Sequence, residues 1–519
     1  MTRTTSRIRA VLVTAPALAL TAGALAAGAG APAPALTGTS AAAAVAVPAS
    51  PTALACPGPP SSVAGQVRTP EHAAVGLALR AEGAAPPVLG AGVLLGAGDD
   101  EPARPRASAE LLDRVARVVV PGGGAGSLVA EPVDGAAPVI AGTSSAVAGT
   151  GDLRGLSAAS CVAPADQLWL VGGTTGAGRS VRLVVANPGA TAVTVDARVL
   201  TAAGPEQPTG LSGLSLAPGE QRAVLLEGVV GASGPLAVHV TSRGGAVAGW
   251  LQEQVLRGLA PGGTDLVVPG LEPAEHLLVP GVLVPAQGAA PVLRLAAPGD
   301  EPVIARFAVL GADGAAVLDG VPAAVSVPPG AVVDVPLTGA APGEVGLVVD
   351  ADGPVLAAAV SDTASRDGGA GDLAWAAAAP ALEAPALVAL PADAGDTPVP
   401  RARVALSAPP ATDGSAGEAT AVDVAVLAAD GTASPSRRLV VPAGTTAGVD
   451  VADLAGEARG PLLGLVVTPV SGPPAAVAVR LGLPTAVAGG AGGDLAAVLP
   501  VTAPPTGADA VRVGLRGAL

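Results

Sequence analysis

The stretch Gly189-Ala-Thr-Ala-Val-Thr-Val-Asp-Ala-Arg-Val-Leu-Thr-Ala-Ala-Gly204 decides the fold class of this 519-residue chain. From Val193 to Val199, small apolar residues occupy every second position, and threonine, aspartate and arginine stand between them. A period of two is typical of a β-strand with one buried face and one solvated face. The stretch therefore predicts a sheet that covers a core on one side.

The same pattern returns about 110 residues further along the chain. Gly299-Asp-Glu-Pro-Val-Ile-Ala-Arg-Phe-Ala-Val-Leu-Gly-Ala-Asp-Gly314 aligns with the first stretch without a gap, and Val426-Leu427-Ala-Ala-Asp430-Gly431 fills the same place in a third copy. A repeat of this length with many short strands has the size of a β-sandwich, whereas propeller blades repeat at roughly 40 to 50 residues. We predict an all-β chain of tandem immunoglobulin-like β-sandwich repeats over residues 166–270, 271–380 and 381–519.

Two further landmarks recur in each copy. An Asp-Leu pair after a glycine opens the closing apolar run, at Asp265-Leu266, Asp372-Leu373 and Asp494-Leu495. Each copy also has a strand that ends in a Pro/Gly turn. These strands are Leu214–Gly219, Val325–Gly330 and Leu439–Gly444.

Residues 61–165 lack these landmarks, and we predict that they form a separate β-rich domain. This region contains the one segment whose pattern favours a helix, from Ala109 to Val118. Ser108 is its predicted N-cap, and the apolar residues of the segment fall on one side.

The N-terminus has the layout of a secretory signal, predicted here as residues 1–31. Met1–Arg9 contains three arginines, and an apolar run rich in alanine and leucine extends from Ala10 to about Ala31. Ala27-Gly28-Ala29 fits a cleavage site; an uncleaved membrane anchor is the alternative, which the proline and glycines of the run disfavour. Residues 32–60, rich in alanine and proline, are predicted to form an extended tether. We therefore expect an extracytoplasmic protein, secreted or anchored at the outer face of the cytoplasmic membrane.

Cys56 and Cys161 are the two cysteines of the chain. Ala53-Leu54-Ala55-Cys56 has some likeness to a lipoprotein attachment site, but it lies well beyond the apolar run that a lipidated cysteine follows directly. An even cysteine count in an exported chain predicts a Cys56–Cys161 disulfide. Closing so long a loop contributes on the order of 4 kcal/mol to stability.

Composition excludes several classes of function. The formal net charge of −15 repels phosphate backbones, and no basic patch with interleaved aromatic residues occurs, so nucleic acid is a poor candidate partner. Aromatic residues make up 1% of the chain, so its cores must consist of valine, leucine, isoleucine and alanine. Beyond residue 31, every apolar run is interrupted before the ~18 residues that a membrane-spanning helix needs.

Four motifs carry a resemblance to a known family: Gly151-Asp-Leu-Arg-Gly155, Ala158-Ala-Ser-Cys161, Trp169-Leu-Val-Gly-Gly173 and Leu183-Val-Val-Ala-Asn-Pro-Gly189. Together they resemble an uncharacterised family of secreted actinobacterial proteins, the domain of unknown function five-seven-one-nine. The resemblance runs from about Cys56 to near the C-terminus. It implies export and paired cysteines, and it brings no catalytic residue to this sequence.

The segment Gly173-Thr-Thr-Gly-Ala-Gly178-Arg179-Ser180 has the spacing of a phosphate-binding loop with arginine in the place of lysine. A loop of that kind must open a helix whose N-terminal amides hold phosphate. Val181–Val185 has instead the composition of a strand. We interpret the segment as a hairpin loop.

Two acidic runs, Asp350-Ala-Asp-Gly353 and Asp99-Asp-Glu101, offer oxygen ligands to calcium, but neither has the remaining carboxylates of a full loop. Asp-Gly is a turn signal, so solvated turns are the preferred interpretation. His72, His239 and His276 are scattered without metal-ligand spacing and are expected at the surface or at strand edges. We predict no metal site and no cofactor.

Trp169, Trp250 and Trp375 are either sugar-stacking platforms or core anchors, and the β-sandwich context favours burial. The sequence has no Gly-x-Ser-x-Gly elbow, and the paired thiols leave no free cysteine, so we assign no catalytic residue. The leading hypothesis is an exported, non-enzymatic scaffold or binding protein of the cell envelope. Its partner would be an envelope protein or polysaccharide, with a possible membrane tether through the N-terminal segment. The alternative is a glycan-binding or glycan-active protein that uses an exposed tryptophan with nearby acids.

Overall fold

The computed structural model describes most of the chain between residues 43 and 513. The predicted signal segment 1–31, part of the tether and the acidic run Asp99–Glu101 lie outside the described residues. Residues described are 43–46, 50–61, 71–80, 87–95, 107–120, 124–134, 138–364, 369–391, 398–411, 417–456, 461–488, 492–503 and 510–513.

The first sandwich follows the short strand β1 (Ala43–Ala46). Its strands are β2 (Thr52–Cys56), β3 (Glu71–Leu79), β4 (Leu89–Val93), β5 (Ala107–Ser108), β6 (Glu110–Leu111), β7 (Val115–Val119), β8 (Gly126–Ala130), β9 (Val139–Ala148) and β10 (Gly155–Ser160). One sheet has the order β2-β8-β4-β5 and the other β10-β9-β3-β7-β6. The sandwich thus begins with β2, within the segment that the sequence assigned to the tether.

The second sandwich also has two antiparallel sheets. Its strands are β11 (Gln167–Thr175), β12 (Arg179–Ala186), β13 (Val193–Thr201), β14 (Gly204–Glu206), β15 (Leu214–Leu216), β16 (Gln221–Leu225), β17 (Gly234–Arg243), β18 (Ala248–Arg257) and β19 (Ala260–Val267). The sheet orders are β11-β17-β13-β14, with β15 also on β13, and β16-β12-β18-β19.

The third sandwich is built around one long strand. Its strands are β20 (Ala274–Val284), β21 (Val292–Ala296), β22 (Val303–Gly311), β23 (Gly314–Ala316), β24 (Ala324–Val327), β25 (Val332–Pro336), β26 (Gly343–Asp362) and β27 (Leu373–Ala377). The first half of β26 pairs with β20 and β22, and its second half pairs with β21 and β27. One continuous strand therefore belongs to both sheets.

The fourth sandwich has the sheet orders β28-β33-β30-β31 and β32-β29-β34-β35. Its elements are β28 (Ala386–Ala389), β29 (Arg401–Ser407), β30 (Thr420–Leu427), β31 (Arg437–Val441), β32 (Thr446–Asp450), α1 (Val451–Ala455), β33 (Gly464–Ser471), β34 (Ala476–Leu483), α2 (Thr485–Ala488) and β35 (Leu495–Pro500). A last strand, β36 (Ala510–Val513), pairs antiparallel with β1 in a separate small sheet.

All four sandwiches share one topology once the short accessory strands are set aside. The first main strand pairs with the fifth and the fifth with the third, while the fourth, second, sixth and final strands form the opposite sheet. In the third sandwich, β26 supplies both the fifth and the sixth strand. The prediction of an all-β chain of tandem sandwiches is confirmed, and the same topology extends to the N-terminal region, where the sequence showed no landmarks.

The cores follow the sequence alternation. In β13, Val193, Val195, Ala197 and Val199 are buried, and the polar residues between them are partly exposed. The apolar clusters cross from one sandwich to the next, because Trp375 packs with the core of the second sandwich. The sandwiches are thus in direct contact through their cores.

The helix predicted from Ala109 to Val118 is wrong. β6 and β7 occupy this segment as antiparallel neighbours, with a bend at Asp113 and Arg114 between them. The apolar residues of two short strands that are separated by a bend have the same spacing in sequence as one face of a helix. None of the helices in the described part of the chain has the length and hydropathy that crossing a membrane requires.

A disulfide joins Cys56, at the end of β2, to Cys161, which directly follows β10. Backbone hydrogen bonds between Ala55 and Val162 run beside it in both directions, at 2.8 and 2.7 Å. The disulfide therefore links the two ends of the first sandwich.

Candidate functional site

One carboxylate joins the final strands of all four sandwiches. Asp372, directly before β27, is fully buried. It accepts backbone N–H groups from Leu156 of β10 at 2.9 Å, Thr264 of β19 at 3.4 Å, Leu373 of β27 at 2.9 Å and Ala496 of β35 at 3.0 Å. These five residues are called the Asp372 hub below. Each sandwich donates one N–H group to it.

The hub covers a sheet edge that each sandwich would expose if it stood alone. A final strand lies at the edge of its sheet, where unpaired backbone groups would otherwise be left exposed. β10 contacts β19 and β35, and β27 contacts the same two strands, so the four edges cover one another. Asp372 accepts the N–H groups that a regular ladder would have paired.

Glycine is required where the edges approach most closely. A Cβ atom on Gly155 would lie 2.7 Å from Asp372 Oδ1 and 2.8 Å from the Thr264 carbonyl oxygen. Gly263 has a φ of +116°, and a Cβ atom there would lie 2.4 Å from the backbone nitrogen of Leu373. These glycines of the final strands β10 and β19 therefore make room for the neighbouring sandwich.

Arg154 is the cationic partner of the hub and is also buried. Its guanidinium donates to the carbonyl oxygens of Gly371 and Gly493, and to Thr485 Oγ1 at 3.1 Å. Burial raises the pKa of Asp372 to about 7, opposed by the N–H donors and by Arg154. Arg154 of the first sandwich thus binds the glycines that directly precede Asp372-Leu373 and Asp494-Leu495.

Two more buried acids tie the second sandwich to the third. The indole N–H of Trp375 donates to Glu253 Oε2 at 2.8 Å, and the backbone N–H of Trp375 donates to Asp265 Oδ2 at 2.7 Å. Burial raises the pKa of both carboxyl groups, against Arg179 at Glu253 and the backbone donors at Asp265. Trp375 is 4% exposed. It connects two sandwiches and presents no open face for a sugar ring.

The loop that resembles a phosphate-binding loop holds an arginine. Arg294 is bidentate to Asp334, at 2.8 and 2.9 Å, and donates to the carbonyl oxygen of Gly173 and, at 3.2 Å, to Thr174 Oγ1. Its guanidinium also lies 4.9 Å from the ring centroid of Trp375. Arg294 thus ties this loop to the third sandwich.

The hairpin interpretation of this loop needs correction. β12 follows as a strand, as predicted, but β11 pairs with β17 while β12 pairs with β16 and β18. The loop therefore crosses between the two sheets. The physical reason is that both strands place valine and leucine toward one core from opposite sides.

Two of the three histidines, His239 and His276, contact other side chains. The ring of His239 stacks on Trp169 with centroids 3.8 Å apart. His276 Nδ1 lies 2.7 Å from Asp350 Oδ1, and the two side chains are 76% and 54% exposed. Burial lowers the pKa of His239, and nearby Arg198 lowers it further. Neither pair lines a cavity described below.

His72 lies beside a serine but does not activate it. His72 Nε2 is 2.8 Å from Ser144 Oγ and 3.2 Å from the Pro57 carbonyl oxygen, and Ser144 Oγ itself donates to that carbonyl at 2.6 Å. Since the Ser144 proton points to Pro57, the facing ring nitrogen is assigned as the donor. Ser144 is 1% exposed. The pair stabilises the first sandwich next to the disulfide.

The acidic run Asp350–Gly353 lies within β26, where this strand passes from one sheet to the other, so its interpretation as a turn is wrong. Asp352 Oδ1 accepts the backbone N–H of Ile304 at 2.7 Å. Within the residues that the structure describes, no three His, Cys, Asp or Glu side chains converge in a way that could hold a metal ion.

A cleft of about 810 Å³ is lined by residues of the third and fourth sandwiches. Arg403 and Arg480 are direct cross-strand partners on β29 and β34, and Arg401 stands two residues before Arg403 on the same face. These three residues define the arginine cleft. A smaller, more apolar cavity of about 580 Å³ adjoins it and shares Arg401 and Asp450. The arginine cleft was not foreseen from the sequence, because its members come from strands far apart in the chain.

The carboxylates at the cleft pair with two of its three arginines. Glu344 is buried between two arginines, with its oxygens 3.3 Å from Arg403 Nε and 3.4 Å from Arg480 Nε. Asp450 lies 2.8 Å from Arg403 Nη1. Burial opposes the charge of Arg403, but Glu344 and Asp450 outweigh it and raise the pKa of this guanidinium. Among the described residues, Arg401 has no hydrogen-bond or ion-pair partner.

Comparison with protein families places the chain in a known group. The model of a family of unknown function (DUF5719) matches residues 116–452, which include the whole second and third sandwiches and most of the hub. No curated protein matches the chain.

Proposed function

We propose that this chain, which belongs to the DUF5719 family of unknown function, is an exported, non-enzymatic scaffold or binding protein of the cell envelope. The observation that carries the proposal is the Asp372 hub, where one carboxylate accepts a backbone N–H group from each of four sandwiches. Domains joined only by linkers move relative to one another. The hub holds four domains in fixed positions, and fixed positions are what a scaffold must offer.

Export is supported by two independent features. The arginine-rich start and apolar run of residues 1–31 have the layout of a secretory signal. The disulfide between Cys56 and Cys161 fits an oxidising compartment, because reducing systems of the cytoplasm keep thiols reduced. Both features favour a place outside the cytoplasm.

The absence of catalysis is supported by the way in which the described acids and histidines are used. Asp372 accepts four N–H groups and faces no cavity described above. His276 and Asp350 are exposed and line none of the cavities described above. Hydrolysis or transfer requires a base, a nucleophile and donors that converge in one cleft. These groups are instead spread over four sandwiches.

A glycan-binding protein is the alternative, and the arginine cleft favours it. The cleft is concave and has the size of a small-molecule site. Recognition there would use charge and hydrogen bonds, since Trp169, Trp250 and Trp375 are all buried. A glycan-active enzyme would additionally need an accessible pair of acids.

Export is tested by fractionating cells that produce the full-length chain with a C-terminal tag. A chain without residues 1–31 is the matched control. We expect the full-length protein outside the cytoplasm and the control inside it. A full-length protein found wholly in the cytoplasm would contradict the proposal.

Scaffold and glycan enzyme are separated by incubating the purified protein with isolated envelope polysaccharide. The scaffold proposal expects no new reducing ends. Their release by the wild type, and its loss in Asp450→Asn or Asp494→Asn, which change the acids lining the arginine cleft, would replace the scaffold by the glycan-active alternative. In parallel, a glycan array and cross-linking in intact cells distinguish a polysaccharide partner from a protein partner.

A further inference from the structure

We propose that the arginine cleft binds the carboxylate or phosphate group of an anionic ligand through the guanidinium groups of Arg401 and Arg480. The proposal deepens the binding side of the proposed function. It concerns the purified protein, so its failure would leave the proposals on export and on the hub untouched.

Glu344 and Asp450 offset the repulsion among the three arginines of the cleft but pair with them unequally. Arg403 and Arg480 face each other across β29 and β34, and like charges directly opposite on a sheet are destabilising. Glu344, from the third sandwich, lies between them and offsets the repulsion. Glu344 and Asp450 together satisfy Arg403, which also donates to the Gly448 carbonyl oxygen at 3.1 Å.

Two guanidinium groups retain donors for a ligand. Arg480 meets Glu344 only through Nε, and within the described residues its terminal nitrogens have no hydrogen-bond acceptor. Arg401 is exposed and has no acceptor there either. A guanidinium presents a planar fork of N–H donors that fits the two oxygens of a carboxylate or phosphate. The cleft thus holds two cations whose forks are open.

The rest of the lining combines polar groups with apolar side chains, and its remaining carboxylate, Asp494, accepts the backbone N–H of Thr485 at 3.1 Å. Gln287 contributes an amide, and Gly482 and Gly492 contribute backbone to the wall. The lining contains no aromatic side chain, so stacking on a ring is not available. The volume of about 810 Å³ falls within the range of small-molecule sites. An acidic sugar unit or a phosphate-bearing chain end fits these properties.

The experiment is isothermal titration calorimetry on the mature protein with three probes: inorganic phosphate, glucuronate and glucose. We expect binding of one or both anions, weakened by salt, and no binding of glucose. Phosphate without glucuronate would identify a phosphate-bearing ligand, and the reverse result would identify an acidic sugar.

Variants place the binding in the cleft. Arg401→Gln and Arg480→Gln should each weaken anion binding about tenfold or more, because each removes a charge-assisted contact. Arg243→Gln is the matched control: its side chain is 77% exposed on the second sandwich and is ion-paired to Asp196. Arg401→Glu provides a second test, since it reverses the charge at an exposed position and should abolish binding.

Two results would overturn the proposal. One is that neither anion binds to the wild type at tens of millimolar concentration. The other is that Arg401→Gln and Arg401→Glu bind as tightly as Arg243→Gln. Circular dichroism of each variant confirms that any loss of binding occurs in folded protein.

Discussion

The Asp372 hub and the arginine cleft use charged residues in opposite ways. In the hub, Asp372 and Arg154 are buried, and main-chain groups from all four sandwiches complete their hydrogen bonds. In the cleft, Arg401 is exposed and has no partner among the described residues. Charged side chains whose bonds are filled by backbone stabilise the fold, and those with open donors remain available for ligands. The two sites adjoin at Gly493, which accepts from Arg154 and also lines the cleft.

Replacing the hub acid should have the largest effect on stability. Asp372→Ala leaves four buried N–H groups without their acceptor and removes the carboxylate that balances the charge of Arg154. Each unsatisfied buried group costs about 1 kcal/mol or more, so the total loss should be about 4 kcal/mol or more. Denaturant unfolding followed by circular dichroism measures it.

The control for that substitution is Asp423→Ala, which removes an acid from an exposed pair with Arg438. Exposed ion pairs contribute little to stability. Equal effects of the two substitutions would show that the hub is no stronger than a surface contact.

The hub should also make stability depend on pH. Burial raises the pKa of Asp372 to about 7 in the folded protein, from an ordinary value of 3.8. A group whose folded pKa is raised stabilises the folded state below its unfolded pKa, and this contribution is lost as the pH rises through the folded pKa. Relative to Asp372→Asn, the unfolding free energy of the wild type should fall by up to about 4 kcal/mol between about pH 4 and about pH 8.

Urea unfolding of both proteins across this pH range is the measurement. The other titrating groups are present in both proteins, so the difference reports Asp372 together with its coupling to Asp265, whose pKa the charge of Asp372 raises. A difference that stays flat or rises with pH would mean that the folded protein does not raise the pKa of Asp372.

A smaller loss of stability is expected from a substitution where the final strands approach most closely. In Gly155→Ala, the added methyl group would meet Asp372 Oδ1 and the Thr264 carbonyl oxygen. Overpacking of this kind costs about 2 kcal/mol. Gly299→Ala is the control, because nothing lies within 4 Å of the added atom. The two thermal midpoints should differ clearly, and equal midpoints would refute the close approach.

A substitution in the arginine cleft should change ligand binding and leave stability unchanged, in contrast to the substitutions in the hub. Arg401→Gln removes an exposed charge without a described partner, so its denaturation midpoint should equal that of the wild type. Only anion binding should change. A marked loss of stability in this variant would reveal a structural role for Arg401 and erase the contrast between the two sites.

Local sequence pattern predicted the strands well, because alternation reports burial directly. Val193 to Val199 alternates in sequence and in burial. The helix prediction for Ala109 to Val118 failed, because the apolar spacing of this segment fits one face of a helix and also two short strands with a bend. Periodicity alone does not separate these cases.

The hub was only partly foreseeable. The Asp-Leu motifs at Asp265, Asp372 and Asp494 were recognised as the closing elements of three copies. A fourth motif, Gly151-Asp-Leu-Arg154, was present in the sequence and lies in the turn before β10 of the first sandwich. Its extra arginine was the available signal of a shared polar centre. The convergence of four strands on one of the three acids depends on tertiary packing, which no local pattern encodes.

Hydrogen exchange at the hub tests the central claim most directly, namely that one buried carboxylate fixes four sandwiches as one body. The amides to follow are those of Leu156, Thr264, Leu373 and Ala496. In the wild type, all four should exchange slowly. Leu156, Thr264 and Ala496 should share a common opening free energy, because their amides are released from Asp372 only when their sandwiches separate from the third. In Asp372→Ala, all four should accelerate together, while the amide of Val195 within the second sandwich stays protected. Fast exchange of any of the four in the wild type, or acceleration of Leu373 alone in the variant, would contradict the account.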